Sequence, residues 1–310
     1  MAIESSLIII TLRRAAALRR TLDGLVRQSR VPGEILIVDN GPQDETERVV
    51  SSFRDRLPVR YTPEAARGYG NARNRGLEEA RGEILYFLDD DCVPEVDWAQ
   101  ILWDELASGR ADLVGGSRVS GQPGLAARLE YLSTDGPGMS PRLPGGPASH
   151  LSTSNLIMRR EAAARVGRFD CTLKMCEDRD FTTRARKLGF RLLYQPKARV
   201  THYPAIDRLS HYLAKMRHYG FGTSQYFERW RSEERLAQFF PASPAARLLL
   251  LPALAAAGTG YLVARNLPQC PDAVPLSPLL FVGQLWWHWG GFEAMRQERR
   301  RASEALTHET

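Results

Sequence analysis

Short apolar runs alternate with segments of helical periodicity over the first ninety positions of the chain. "SLIIIT" is apolar on both faces, the pattern of a parallel strand covered on each side by helices. "RRAAALRRTLDGLVRQS" follows, with Ala and Leu at helical spacing and the arginines on the opposite face. "EILIVDNG" repeats the strand pattern and stops at Asp-Asn-Gly, a turn signal. "DETERVVSSF" reads as a helix, "VRYTPE" as a third strand, and "GYGNARNRGLEEARG" as a helix closed by Gly82 at its C-cap. "EILYFLDDD" is a fourth strand. Strands separated by helices predict βαβ units, hence an α/β fold with a mostly parallel central sheet flanked by helices.

In such sheets ligands bind at the carboxyl ends of the strands, and Asp39 and the run Asp89–Asp91 both fall there. Adjacent carboxylates repel, so the run needs solvent, a cation or hydrogen-bond donors to be tolerated. No Gly-Lys-Ser/Thr follows a strand and no GxGxxG follows the first one, so the P-loop and dinucleotide fingerprints are absent. Carboxylates at a strand end suit a hard divalent cation that neutralises a diphosphate, with Arg67 and Arg73 available for the remaining phosphate charge. The composition, 43% hydrophobic and 25% charged over 310 residues, is that of a globular chain, and the formal charge of +6 points to anionic partners. Cys92, Cys171, Cys176 and Cys270 are spaced for neither a disulfide framework nor zinc knuckles, and read as buried thiols in a reducing compartment. "SLIIITLRR" is too short for a signal peptide and lacks a cleavage site, so a cytoplasmic location is expected.

Four stretches then carry a resemblance: "LIVDNGPQDET", "GNARNRGLEEARGEILYFLDDDCVP", "TSNLIMRREAAARVGRFD" and "EDRDFTTRARKLGFRLLYQPKARVTHY". Together, in this order over about residues 5 to 205, they resemble family 2 glycosyltransferases of the GT-A fold. The resemblance implies transfer of a sugar from a nucleotide diphosphate sugar to an acceptor hydroxyl, with inversion and with a divalent cation, Mn or Mg. It matches Asp39 to the aspartate that bonds the nucleotide base and Arg73 to an arginine near base and diphosphate. Asp89 falls nearer the ribose, Asp91 becomes the principal metal ligand, and Asp90 between them orients the loop. In "CEDRDF", Asp178 becomes the general base with Glu177 beside it, and burial of the pair is expected to raise one pKa. His202 is a further metal or diphosphate contact, Arg184 or Arg186 a phosphate contact, and Ser154 and Asn155 line the cleft. The first strand departs from the family's usual Pro-Thr-Tyr-Asn-Arg ending, with Ile10, Thr11 and Leu12 in its place. Which nucleotide is used therefore stays open. The expected donor set is Thr11, Asp39, Arg67, Arg73, Asp89, Asp90 and Arg184.

Plainer readings stand beside these roles. Asp39 fits an Asx turn, Arg73, Arg184 and Arg186 fit helix-surface charge, and Glu177 and Asp178 fit acids in a first helical turn. Ser154 and Asn155 fit packing positions, and a lone histidine such as His202 fits a structural one. A non-catalytic nucleotide-sugar-binding module is the rival function, and it would have no need of Asp178. A nucleotidyltransferase is disfavoured by the missing Gly-rich, Lys-bearing loop.

Residues 1–205 are thus expected to form the catalytic domain, with the donor side over about 1–115 and the acceptor side over about 116–205. Within it "GQPGLAARLEYLSTDGPGMSPRLPGGPASH" reads as a flexible loop region with a short helix at "LAARLEYL". Residues 206–310 read as a helical region with two apolar runs, "LLLLPALAAAGTGYLV" and "PLLFVGQLWWHWGGF", both interrupted by Pro or Gly. Trp286, Trp287 and Trp289 near "RQERRR" suggest a membrane-interface belt at the cytoplasmic face, with a lipid-linked or envelope glycan as acceptor. Two buried helices or a dimer interface, with a peptide, natural product or saccharide acceptor, is the alternative. Nucleic acid is not an expected partner, because the basic residues lack an interleaved stacking platform.

Overall fold

The structure, a computed structural model, describes residues 4–233, 237, 238 and 240–308. In chain order the first elements are β1 (Ser5–Thr11), α1 (Ala15–Leu25), β2 (Glu34–Asp39), α2 (Asp44–Ser51), β3 (Val59–Pro63), α3 (Tyr69–Glu79), β4 (Ile84–Asp89) and β5 (Cys92–Pro94). Then come α4 (Trp98–Ala107), β6 (Leu113–Ser120), α5 (Leu125–Ser133), α6 (Asp135–Met139), β7 (Gly146–Pro147), β8 (Asn155–Arg159), α7 (Arg160–Val166), α8 (Glu177–Lys187) and β9 (Leu192–His202). The remaining helices are α9 (Leu209–Arg229), α10 (Pro244–Leu249), α11 (Leu251–Asn266) and α12 (Ser277–His308).

Among the described residues the strands form one sheet in the order β3-β2-β1-β4-β8-β6-β9-β5, with β7 paired to β9. The first four strands are mutually parallel, as the β-branched runs predict. Beyond them the sheet is mixed: β8 runs antiparallel to β4 and β6, while β6 and β9 are parallel. Side chains alternate across the parallel half as strand geometry requires. Leu7, Ile9, Ile35, Ile37, Tyr86 and Leu88 face a core closed by α1, α2 and α4. Ile8, Leu36, Val38, Leu85 and Phe87 face the opposite core, closed by α3, α7 and α8. Full burial of each such side chain is worth about 1.5–3 kcal/mol, so a strand buried on both faces is anchored on both.

Gly82 does not cap α3. That helix stops at Glu79, with Ala80 extended as its cap. Gly82 instead lets the chain pass against β1: a Cβ there would lie 2.5 Å from Ser5 Cα. Its N–H donates to Ser6 Oγ at 2.7 Å. Gly116 serves a similar close approach at the β6 irregularity, where a Cβ would meet the Ala198 carbonyl oxygen at 2.1 Å. The "LAARLEYL" segment is helical, as α5. Cys171 is exposed rather than buried, because it lies in the loop between α7 and α8, and Asn74 Nδ2 donates to its Sγ at 3.3 Å.

The chain divides into two compact units. The sheet unit comprises residues 1–122, 138–172 and 177–204; the helical unit comprises 123–137, 173–176 and 205–310. In the helical unit α9 and α12 pack with backbones nearly touching, since a Cβ on Gly220 would collide with the Trp287 carbonyl and one on Gly290 with the Arg217 carbonyl. No helix among the described residues is long and apolar enough to cross a membrane.

Candidate active site

Parallel pairing puts the ends of β1, β2 and β4 side by side, with Thr11 opposite Asp39 and Ile10 opposite Asp89. β4 runs out at Asp89 and the chain turns through Asp90 and Asp91 into β5, whose Cys92 pairs with His202 at the end of β9. Each carboxylate of the run has its own environment.

Asp89 receives Arg73 Nη2 at 3.5 Å. Burial raises its pKa, with Arg73 opposing the rise. Asp90 is the structural member of the three, buried and held by Thr11 Oγ1 at 2.7 Å and Arg14 Nη1 at 3.1 Å. Thr21 Oγ1 donates to its carbonyl at 2.8 Å. Burial pushes its carboxyl up to about 7 against the pull of Arg14. Asp91 is paired with Arg14 Nη2, and His202 Nε2 stands 3.5 Å from its Oδ2. The Tyr203 N–H fixes the Asp91 carbonyl at 2.8 Å.

Ligand atoms of Asp91, Cys92 and His202 lie within 4.8 Å of one another, all three residues buried. A carboxylate oxygen, a thiol sulfur and an imidazole nitrogen make a donor set that fits a divalent cation. Asp91 and His202 are the residues that would hold it.

Arg73 ties this end of the sheet to α8. It is buried, and its Nη1 pairs with Glu177 while Nη2 reaches Asp89. Asn74, next on α3, exchanges two hydrogen bonds with the Phe169 backbone, at 2.9 and 2.8 Å, which fixes the helix that carries Arg73. Glu177 opens α8, and burial pushes its carboxyl up to about 7, opposed by Arg73 and reinforced by Asp178. Asp178 accepts from the Arg179 N–H at 2.7 Å and the Thr153 N–H at 3.3 Å. One guanidinium therefore links the carboxylates at the end of β4 to the Glu-Asp pair of α8.

Other expected residues lie in different surroundings. Asp39 is fully buried and bonds its own turn, accepting from the Gly41 and Gln43 N–H groups at 3.1 and 3.2 Å and from Tyr61 Oη at 3.1 Å. Arg67 is exposed, packed over Gly41. Arg184 is not brought to the carboxylates: its guanidinium is spent on Asp180 at 2.9 Å and on the carbonyls of Val166 and Arg168 at 2.6 and 2.8 Å. Arg186 is exposed. Asn155 is wholly buried, bonding Trp98 Nε1 at 2.8 Å and the carbonyls of Ser117 and Ala198 at 2.9 Å each, which is a packing role. Ser154 Oγ receives Arg118 Nη1 at 2.8 Å.

Arg14 is the residue that sequence reasoning missed. Helical spacing puts it on a solvent-facing stripe, but it is the N-cap of α1, and it follows Arg13 in a left-handed conformation at φ 54°. Burial works against its charge, yet Asp91 and Asp90 outweigh that and hold the guanidinium above the ordinary arginine range. The signal was present in "TLRRAA": two arginines stand at the carboxyl end of the first strand, where parallel sheets place ligand-binding groups.

A half-parallel, half-mixed sheet with acidic strand ends is the GT-A fold. The mannosyltransferase PcManGT from Pyrobaculum calidifontis, solved with GDP-Man and Mn2+, superposes with a TM-score of 0.62 at 20% identity, covering 91% of this chain and 86% of that one. The chain belongs to glycosyl transferase family 2, whose sequence profile matches residues 6–167. It is 31% identical over 195 residues to Glycosyltransferase AglE of Haloferax volcanii, covering 61% of this chain and 63% of that protein. It is 31% identical over 206 residues to the pre-mycofactocin glycosyltransferase of Mycobacterium tuberculosis, covering 64% of this chain and 42% of that protein. The match thus spans less than two thirds of the length of either curated relative.

Proposed function

We propose that the protein transfers a sugar from a nucleotide diphosphate sugar to an acceptor hydroxyl, with inversion at the anomeric carbon. The observation that carries the reading is the Arg73 bridge, which joins Asp89 to Glu177 and so brings the expected donor carboxylates and the expected base to one place. In this reading Asp178 takes the proton of the acceptor hydroxyl as its oxygen bonds the anomeric carbon. The bond from that carbon to the diphosphate oxygen breaks on the opposite face. Glu177 is committed to Arg73, whereas Asp178 is oriented by two backbone N–H groups, which supports Asp178 as the base. A divalent cation, held by Asp91 and His202, would neutralise the departing diphosphate. The GDP-Man and Mn2+ held by the similar mannosyltransferase support a nucleotide-sugar donor and a cation here.

The test compares transfer and donor binding in Asp178→Asn and Asp91→Asn. Asp178→Asn should lower transfer by roughly two to four orders of magnitude while donor binding, read by calorimetry, persists. Full transfer by that variant, or a product with the donor's anomeric configuration, overturns the reading. Asp91→Asn should lose its dependence on added Mn2+ or Mg2+.

The acceptor side of the reading rests on α11. Ala253, Ala256, Ala257, Gly260, Tyr261 and Ala264 face outward, while Thr259 and Asn266 are buried. Ala255 and Leu262 are buried as well, so α11 carries apolar or small residues on its outer face as on its inner one. Leu249 is 82% exposed, Trp286 and Trp289 are exposed, and so are Arg265, Arg296, Arg299 and Arg300. Apolar residues, indole rings and arginines fit the interface of an anionic bilayer, and with it a lipid-linked acceptor. Co-sedimentation with phosphatidylglycerol vesicles, but not with phosphatidylcholine alone, is expected. No sedimentation with either favours a soluble acceptor.

A further inference from the structure

Asp90 and Asp91 have side chains only 4% and 8% exposed, a costly place for two adjacent carboxylates. Arg14 faces both, Nη1 on Asp90 and Nη2 on Asp91. Unlike its partners, the Arg14 side chain is 38% exposed, so it reaches the pair from the solvent side. Its backbone is fixed independently, because the Arg14 carbonyl accepts the Leu18 N–H at 3.0 Å. The guanidinium can therefore leave without disturbing α1. The oxygen that Arg14 Nη2 contacts, Asp91 Oδ2, is also the one 3.5 Å from His202 Nε2. A dication bridging Asp91 Oδ2 and His202 Nε2 would take that oxygen, and two cations at one carboxylate oxygen repel strongly.

We propose that Arg14 is a tethered cation that neutralises Asp90 and Asp91 in the metal-free protein and competes with the divalent ion for Asp91. The inference rests on the reading of Asp91 as a metal ligand. It implies that metal and donor bind in concert. Metal alone must displace the guanidinium from Asp91, leaving Arg14 with Asp90 only and the two cations side by side. A nucleoside diphosphate brings negative charge that serves both. Each ligand thus tightens the other, and Arg14 is the source of part of that coupling.

The experiment titrates Mn2+ into the full chain and reads free aquo-Mn2+ by electron paramagnetic resonance, with and without UDP or GDP. Wild type, Arg14→Gln, Arg14→Lys and Asp91→Asn are compared. Without nucleotide, Arg14→Gln should bind Mn2+ roughly tenfold more tightly than wild type, and the gain from nucleoside diphosphate should shrink by a similar factor. Arg14→Lys keeps a charge but not the two-pronged contact, and should fall between them. If Arg14→Gln does not fold, the Lys variant carries the test. Mn2+ binding that requires Asp91 but is unchanged or weaker in the Arg14 variants overturns the inference and leaves the metal reading standing. Mn2+ binding insensitive to Asp91→Asn overturns the metal reading itself, and the inference with it.

Discussion

In the sheet unit the buried arginine and its half-buried neighbour both face carboxylates: Arg73 with Glu177 and Asp89, Arg14 with Asp90 and Asp91. The helical unit treats its buried Arg247 differently. That guanidinium bonds Ser224 Oγ at 2.9 Å and the His288 carbonyl at 3.2 Å, and lies 5.7 and 5.6 Å from the Phe240 and Trp287 rings. Among the described residues it has no carboxylate partner, and its Nη2 makes no hydrogen bond. Burial, with Arg231 adding repulsion, lowers its pKa to about 10. The two regions thus use buried arginine for different ends. One gathers carboxylates at strand ends; the other fills space among aromatic rings while its helix α11 turns apolar residues outward.

The contrast predicts unequal responses to one substitution, and this is the largest effect expected. Arg73→Met strands Glu177 and Asp89 without their cation, at a cost of about 3–5 kcal/mol. Arg247→Met replaces a buried cation that has no anion, and removes an unsatisfied donor. It should change stability by no more than about 1.5 kcal/mol in either direction, since two neutral hydrogen bonds are lost as well. Urea denaturation of both variants measures this. Comparable losses would show that the two arginines are alike after all.

Acid separates the units next. Glu177, raised to about 7 in the fold against an ordinary value of 4.5, binds its proton more readily folded than unfolded. Its contribution is fully present below pH 4.5 and is lost as pH rises through 7. His288 behaves oppositely. Burial, with Arg247 nearby, lowers it from 6.5 to about 3, so its contribution is present above pH 6.5 and lost as pH falls towards 3. Each group contributes at most about 1.4 kcal/mol per pH unit. Between pH 6.5 and 4.5 the sheet unit should therefore gain from Glu177 while the helical unit loses through His288. His288→Phe should flatten the acid limb of the denaturation midpoint, and Glu177→Gln should flatten the opposing slope. A pH profile unmoved by either variant removes the assignment.

What the sequence conveyed follows from how far each signal reaches. β1, β2 and β4 were legible because runs of consecutive apolar residues have few alternatives to a doubly buried strand. The Asp89–Asp91 run was legible as a cluster. The division of labour within it was not, since Asp90 is specified by Thr11 and Arg14, far upstream in the chain. Arg184 looked like a phosphate contact because a helix of acids then arginines carries no mark of what its last turn touches. Besides Asp180 one turn earlier, its partners are backbone carbonyls 16 and 18 residues earlier. Gly82 looked like a cap because a glycine after a helical run usually is one, whereas close approach to Ser5 is a tertiary fact. The outward alanines of α11 were hidden for a similar reason: nearly all its residues are apolar or small, so periodicity cannot say which face is inside.

Exposed apolar residues at the end of α10 and on α11 supply the smallest and sharpest prediction. Leu249 and Tyr261 are exposed, at 82% and 51%, so replacing them with serine removes little buried surface. For a monomer with an open face, the double variant Leu249→Ser, Tyr261→Ser should shift the unfolding free energy by less than about 0.5 kcal/mol per site. The same variant should lose most binding to anionic vesicles, because the apolar contribution goes while Arg265, Arg296, Arg299 and Arg300 stay. If a second copy of the chain covers the face instead, the outcome changes in two ways. The wild-type melting temperature would rise with protein concentration, and the serine variant would remove that dependence and lose more than about 1 kcal/mol. Melting curves over a roughly hundredfold range of concentration, read beside vesicle binding, therefore distinguish lipid from partner. A face that neither binds vesicles nor confers concentration dependence would mean that the outward alanines of α11 are tolerated rather than used.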